Sequence, residues 1–132
     1  MAKGQAFIGA ALLLRRENGH EAVVLHLLCQ GIEVTCKGLL LAADYDAYQP
    51  KLRSYGHRLD RVADIVLSHF RLKPLPASLR AELVALSTLY SGHRLRYASG
   101  YDILVEPSTI SSSLVLRRML VLFRLLRRSR LS

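Results

Sequence analysis

Tryptophan is absent from this 132-residue chain, and cysteine occurs only twice, at Cys29 and Cys36. The first absence removes one common interface anchor and no more. The second excludes a disulfide framework. In a segment that reads as one helix, two residues seven positions apart have Cα atoms about 10 Å apart, whereas a disulfide needs less than about 7 Å. Both cysteines therefore read as core fillers rather than as metal ligands or nucleophiles, and free thiols fit a reducing compartment, the cytoplasm. There is no Cys-x-x-Cys pair, no Cys/His ligand set and no i, i+4 histidine pair, so neither a metal nor any other cofactor is expected. Glycine-rich phosphate loops are missing, and no useful stretch alternates apolar and polar residues, which leaves strands without support.

Long apolar runs are also lacking near the start. Residues 6–14 follow Lys3 as the apolar part of a secretory signal would, but they lead into Arg15, Arg16 and Glu17 with no small-residue cleavage site. This run is far shorter than the roughly 20 residues of a bilayer span, and no transmembrane segment is expected.

Acidic residues are scarce: 10 Asp and Glu stand against 19 Lys and Arg, a formal charge of +9. Six arginines, Arg117, Arg118, Arg124, Arg127, Arg128 and Arg130, fall within residues 114–132, where no acid occurs, so only +3 belongs to residues 1–113. The excess is thus mainly a property of the tail. Apolar residues make up 51% of the chain, enough to fill one core, and the length suits one domain with about two-thirds of its unfolded surface buried.

What is present repeats at helical spacing. Ala6, Phe7, Ala10, Ala11 and Leu14 predict a first helix over residues 4–17. Asn18 and Gly19 break it, and Asn18 with Glu21 resembles a capping box for the next helix. Residues 20–43 contain no proline and keep Val23, Val24, Leu27, Leu28, Ile32, Thr35, Leu39 and Leu40 on a broad apolar face, predicting the longest and central helix. Gly31 and Gly38 inside it each cost about 1 kcal/mol against alanine, which makes sense where a neighbouring backbone approaches closely.

Residues 44–56 read as an irregular connection. A third helix over residues 57–72 repeats Leu59, Val62, Ala63, Val66, Leu67 and Phe70, until Pro74 and Pro76 stop it. A fourth runs from Pro76 or Ser78 to about Tyr90 with Leu79, Leu83, Leu86, Leu89 and Tyr90 as its stripe. Residues 91–107 show no period, and residues 108–113 can cap a last, basic helix. The expected fold is all-α, an up-and-down bundle of four to five helices spanning residues 1–113, followed by a C-terminal helix over 114–132. That tail has three open destinations: the bundle or a dimer seam, RNA or another polyanion, or an anionic membrane surface. Its apolar density favours the first.

Charged residues inside the central helix are the next signal. Glu33 and Lys37 stand one turn apart in an otherwise apolar stretch, the spacing of a local ion pair. Some twenty residues later Tyr55, Gly56, His57, Arg58 and Leu59 open the next helix, placing an imidazole near a helix start that accepts an anion. Lys37 and His57 can line a nucleotide or phosphate pocket, or with Glu33 they can form a packing and capping network. His26 and His69 read as ordinary helix-face histidines. His93, Arg94, Arg96 and Tyr97 combine cations with a ring, the chemistry that holds phosphates and stacks a base, although Tyr90 and Tyr97 can equally pack a loop against the bundle.

Glu33-x-x-x-Lys37-x-Leu39-Leu40 followed by Gly56-His57-x-Leu59, with Ala10-Ala11 on the preceding helix and Tyr90 and Arg96-Tyr97 beyond, resembles the HEPN (higher eukaryote and prokaryote nucleotide-binding) domain over roughly residues 6–97. The resemblance implies a helical bundle that usually forms homodimers, often beside a nucleotidyltransferase, in toxin, defence or RNA-processing systems. Many HEPN members are metal-independent ribonucleases with a late Arg-x4-6-His motif. This sequence departs from that motif. Arg15 and His20 have the spacing but lie in the first turn, Arg53 and His57 are separated by only three residues, and no arginine precedes His93 at the required distance.

The resulting expectation is a non-catalytic HEPN-like binding or regulatory module, with Lys37, His57, Arg58, His93, Arg94, Arg96 and Tyr97 as candidate ligand contacts. A ribonuclease using His57, His93 or Arg53 and a purely structural oligomerisation module are the alternatives.

Overall fold

Two backbone hydrogen bonds close the first helix: Gly19 N–H to the Leu14 carbonyl at 2.7 Å and Asn18 N–H to the Arg15 carbonyl at 3.1 Å. Asn18 adopts φ +57°, so this is a Schellman motif with asparagine in its left-handed position. In the computed structural model of the protein, which describes residues 2–91, the helix ended by this motif is α1, Ala2–Arg16. Asn18 is thereby committed to the end of α1, and the expected capping box with Glu21 does not form. His20 caps α2, Glu21–Ala43, instead, its Nδ1 accepting from Ala22 N–H at 3.2 Å.

α1 folds back on α2 and crosses it where both helices carry glycine. A Cβ placed on Gly31 would stand 3.1 Å from the Ile8 nitrogen and 3.2 Å from the Gly4 carbonyl oxygen, and one on Gly4 would stand 2.9 Å from the Thr35 nitrogen. The close approach expected at Gly31 is therefore real, and α1 makes it. Ile8 and Ala11 enter the core there, while Leu12 and Leu13 remain exposed.

Residues 44–58 are less irregular than their composition suggests. Asp44 Oδ1 accepts from Ala47 N–H and caps a short α3, Tyr45–Tyr48. A 3-10 turn, Gln49–Lys51, takes Pro50 in its first positions, where a missing N–H costs nothing, and α4, Leu52–Tyr55, follows. Gly56 at φ +58° then reverses the chain. α5, Leu59–His69, begins two residues later than expected, because His57 lies in that turn and Arg58 is the N-cap. A second Schellman motif ends α5, with Leu72 N–H on the Leu67 carbonyl at 2.9 Å and Arg71 at φ +54°. α6, Ala77–Ser91, packs back on α5 and α2.

The described residues form an all-α bundle with α2 at its centre, touched by α1, α3, α5 and α6. Leu25, Leu28, Ile32, Leu39 and Leu40 of α2 meet Leu59 and Val62 of α5 and Leu83 and Leu86 of α6 in one core. Burying each such side chain contributes about 1.5–3 kcal/mol. Cys29 and Cys36 are buried and free, as core fillers. Val23, expected on the apolar face of α2, is instead exposed. By length and composition α2 is apolar enough to cross a membrane, and 61% of its most apolar window is buried inside the bundle. His93, Arg94, Arg96 and Tyr97, the boundary at residue 113 and the tail 114–132 lie outside the described residues.

Candidate functional site

One carboxylate joins three parts of the chain. Glu33, in the middle of α2 and only 8% exposed, receives Lys37 Nζ at 2.8 Å and His57 Nδ1 at 3.0 Å on Oε1, and the Tyr90 hydroxyl at 2.5 Å on Oε2. Lys37, one turn along α2, also donates to the Gly56 carbonyl at 2.9 Å. The positive φ of Gly56 aims that carbonyl, so the turn before α5 is tied to α2 through both its backbone and its histidine. Tyr90 brings in the last turn of α6. Its ring meets His57 edge-on, with centroids 5.1 Å apart.

Burial by itself pushes the Glu33 carboxyl upward, but the hydrogen bonds from Lys37 and Tyr90 and the charges of Lys37 and His57 outweigh it, so the group lies below the ordinary glutamate range and is ionised at neutral pH. An ionised carboxylate accepts only. The proton of the His57–Glu33 bond is therefore on Nδ1, and in the neutral imidazole Nε2 is the acceptor. The same negative charge adds to burial in holding both nearby thiols protonated: Cys36 is pushed up to about 12 and Cys29 higher still.

This knot forms one wall of an open cleft of about 240 Å³. Lys3 and Phe7 of α1 face His26, Gln30, Glu33 and Val34 of α2, with His57 and Tyr90 closing the far side. His26 and Tyr90 rings stand 5.7 Å apart. No family model, no curated protein and no solved structure matches the chain. Among the described residues, no three His, Cys, Asp or Glu side chains gather as a metal set.

Of the expected site residues that are described, the structure brings Lys37 and His57 together on Glu33 and places only His57 in the cleft. Lys37 stands behind the carboxylate. Arg53 is exposed on α4, and Arg58 turns to Asp60, 3.1 Å away; neither lines the cleft. The helix-start reading is corrected as well. Leu59 N–H, the first amide of α5, is taken by Ser87 Oγ at 2.9 Å, and Asp60, 2% exposed, already supplies the negative charge that this helix end favours. His69 is held by Tyr48, its Nδ1 2.8 Å from the phenol oxygen.

Sequence reasoning missed Lys3, Phe7 and Gln30. Gln30 carried a signal, since it precedes Glu33 by three on one face of α2. Lys3 and Phe7 carried none, because only the α1–α2 crossing brings them across from that face. Tyr90 was read as part of an apolar stripe, and its hydroxyl partner lies 57 positions away.

Proposed function

We propose that this chain is a HEPN-like binding or regulatory module of the cytoplasm, acting as a homodimer or beside a nucleotidyltransferase partner, whose Glu33 cleft takes up a nucleotide. The observation that carries this reading is the cleft wall itself. Glu33 is matched by Lys37, so Lys3 leaves the cleft net positive, which suits a phosphate. Phe7, Tyr90 and the two imidazoles supply ring faces for a planar base. The volume is below the roughly 300–1,000 Å³ of pockets for drug-sized ligands, which suits a small occupant such as a nucleoside monophosphate.

A binding role is favoured over catalysis because Glu33 already accepts three hydrogen bonds and is held below the usual glutamate range, which makes it a poor base. Calorimetric titration of the full chain with nucleoside monophosphates tests the reading. Saturable binding that Lys3→Ala weakens and Lys51→Ala leaves intact supports it, and heats indistinguishable from dilution for every nucleotide refute it.

A second reading, a metal-independent ribonuclease, is favoured by the pairing of His57 with Glu33: a carboxylate on Nδ1 sets Nε2 as a proton acceptor on a ring that is 48% exposed. Incubation with single-stranded RNA in EDTA separates the two. Cleavage that persists in EDTA and disappears in His57→Ala or His93→Ala establishes the enzyme and removes the non-catalytic reading.

A further inference from the structure

α6 is apolar on two sides. Its inner face, Leu79, Leu83, Leu86 and Tyr90, enters the core against α2 and α5. The opposite face, Ala77, Ala81, Val84, Ala85 and Thr88, is exposed, Val84 at 44%. It carries no charge, and the Thr88 hydroxyl donates to the Val84 carbonyl at 3.1 Å, which leaves its methyl group to the face. A helix apolar all round needs cover on both sides. The two flanks of the outer face differ. Arg80 on one is paired with Asp64 of α5, whereas Glu82 on the other makes no ion pair among the described residues and holds Oε2 away from water without a hydrogen-bond partner. The outer face is therefore apolar with one unmatched negative flank.

We infer that this outer face of α6 is the docking site of the chain's own residues 114–126. Reach permits it: residues 92–113 separate the segment from Ser91, the end of α6, and a link of that length extends to about 70 Å, while α6 is only about 22 Å long. Shape favours it. At helical spacing Val115, Met119, Leu122, Phe123 and Leu126 share one side, and large side chains on one helix interdigitate with alanines on the other. Two copies of the α6 face would instead set alanine against alanine and bury little. Charge selects it as well. The segment carries Arg117, Arg118 and Arg124 and no acid, so an arginine beside Glu82 gives Oε2 the donor it lacks. The outward face of α1 also exposes Leu12 and Leu13, but that helix carries Lys3, Arg15 and Arg16 and no acid, which repels an arginine-rich segment.

The test is thiol labelling of the full chain carrying Val84→Cys, in which Cys29 and Cys36 are buried, against the same chain carrying Leu13→Cys on the outward face of α1, with melting curves to confirm that each variant folds. Val84→Cys should label about tenfold or more slowly than Leu13→Cys. Adding Met119→Asp and Phe123→Asp should bring the two rates together. Glu82→Arg should also speed the labelling, and combining it with Arg117→Glu, Arg118→Glu and Arg124→Glu should restore the protection. Ala81→Arg should lower the melting temperature by about 4 °C or more through overpacking, whereas the same change on an open helix face is nearly neutral.

Equal labelling of Val84→Cys and Leu13→Cys, or protection that outlasts Met119→Asp with Phe123→Asp, overturns the proposal. Protection unchanged by dilution is the mark of a tethered segment and supports it. Protection that fades on dilution assigns the cover to a second copy and overturns docking within one chain. Should Val84→Cys fail to fold, Ala85→Cys on the same face decides in its place.

Discussion

Tyr90 donates its hydroxyl hydrogen to Glu33 Oε2 at 2.5 Å, joining the last turn of α6 to the middle of α2 across 57 positions of sequence. Bonds to a buried charge are among the stronger ones in a protein, and losing the donor leaves the acceptor desolvated. Tyr90→Phe keeps the ring against His57 and removes only that donor. It should lower stability by about 1.5–3 kcal/mol, read as a fall in the urea midpoint with an unchanged slope. A midpoint that does not move would mean that water replaces the hydroxyl.

Acid should weaken the fold through the same carboxylate. The folded Glu33 group lies below its ordinary value of 4.5, so the unfolded chain binds the proton more readily. The stability it contributes is complete above about pH 4.5 and is lost as pH falls through the lower, folded value. Urea melts of the wild type and of Glu33→Gln from pH 7 to pH 3 should show a gap that narrows below pH 4.5. A gap constant over that range would assign the effect to other carboxylates.

Two glycines of similar sequence context should respond oppositely to alanine. At Gly31 a methyl group would press on Ile8 and on the backbone of α1, so Gly31→Ala should cost about 1–3 kcal/mol by overpacking. At Gly9 the same methyl would meet nothing within 4 Å, and Gly9→Ala should gain up to about 1 kcal/mol from helix propensity. Thermal melts of the pair check the crossing geometry, and equal shifts would contradict it.

Neither thiol should react in the folded state. Burial and the Glu33 charge push Cys36 up to about 12 and Cys29 further, and both side chains are out of contact with water. Labelling with a thiol reagent at pH 8 should be negligible without denaturant and should reach two groups per chain in urea. Rapid native labelling would show that α2 opens locally.

Self-association is the remaining expectation. Light scattering of the full chain should give twice the monomer mass, and removal of residues 114–132 should lower the mass or the melting temperature. No change in either would leave the tail to a polyanion or a membrane surface.

The sequence by itself determined the helices. The 3.6-residue apolar period places α1, α2, α5 and α6 to within a few residues, because burying one face of a helix demands that period wherever the partner lies. It also paired Glu33 with Lys37, a contact made within one turn. Local competition decided what composition misread: Asn18 was already committed to ending α1, and Asp44 and Pro50 coil a connection that looked irregular. Only the tertiary structure decided the site. Tyr90 reaching Glu33, Ser87 occupying the first amide of α5, and Lys3 and Phe7 facing Gln30 all depend on where helices cross. A crossing is set by the small residues Gly4 and Gly31 on both helices at once, which no periodicity within one helix can encode.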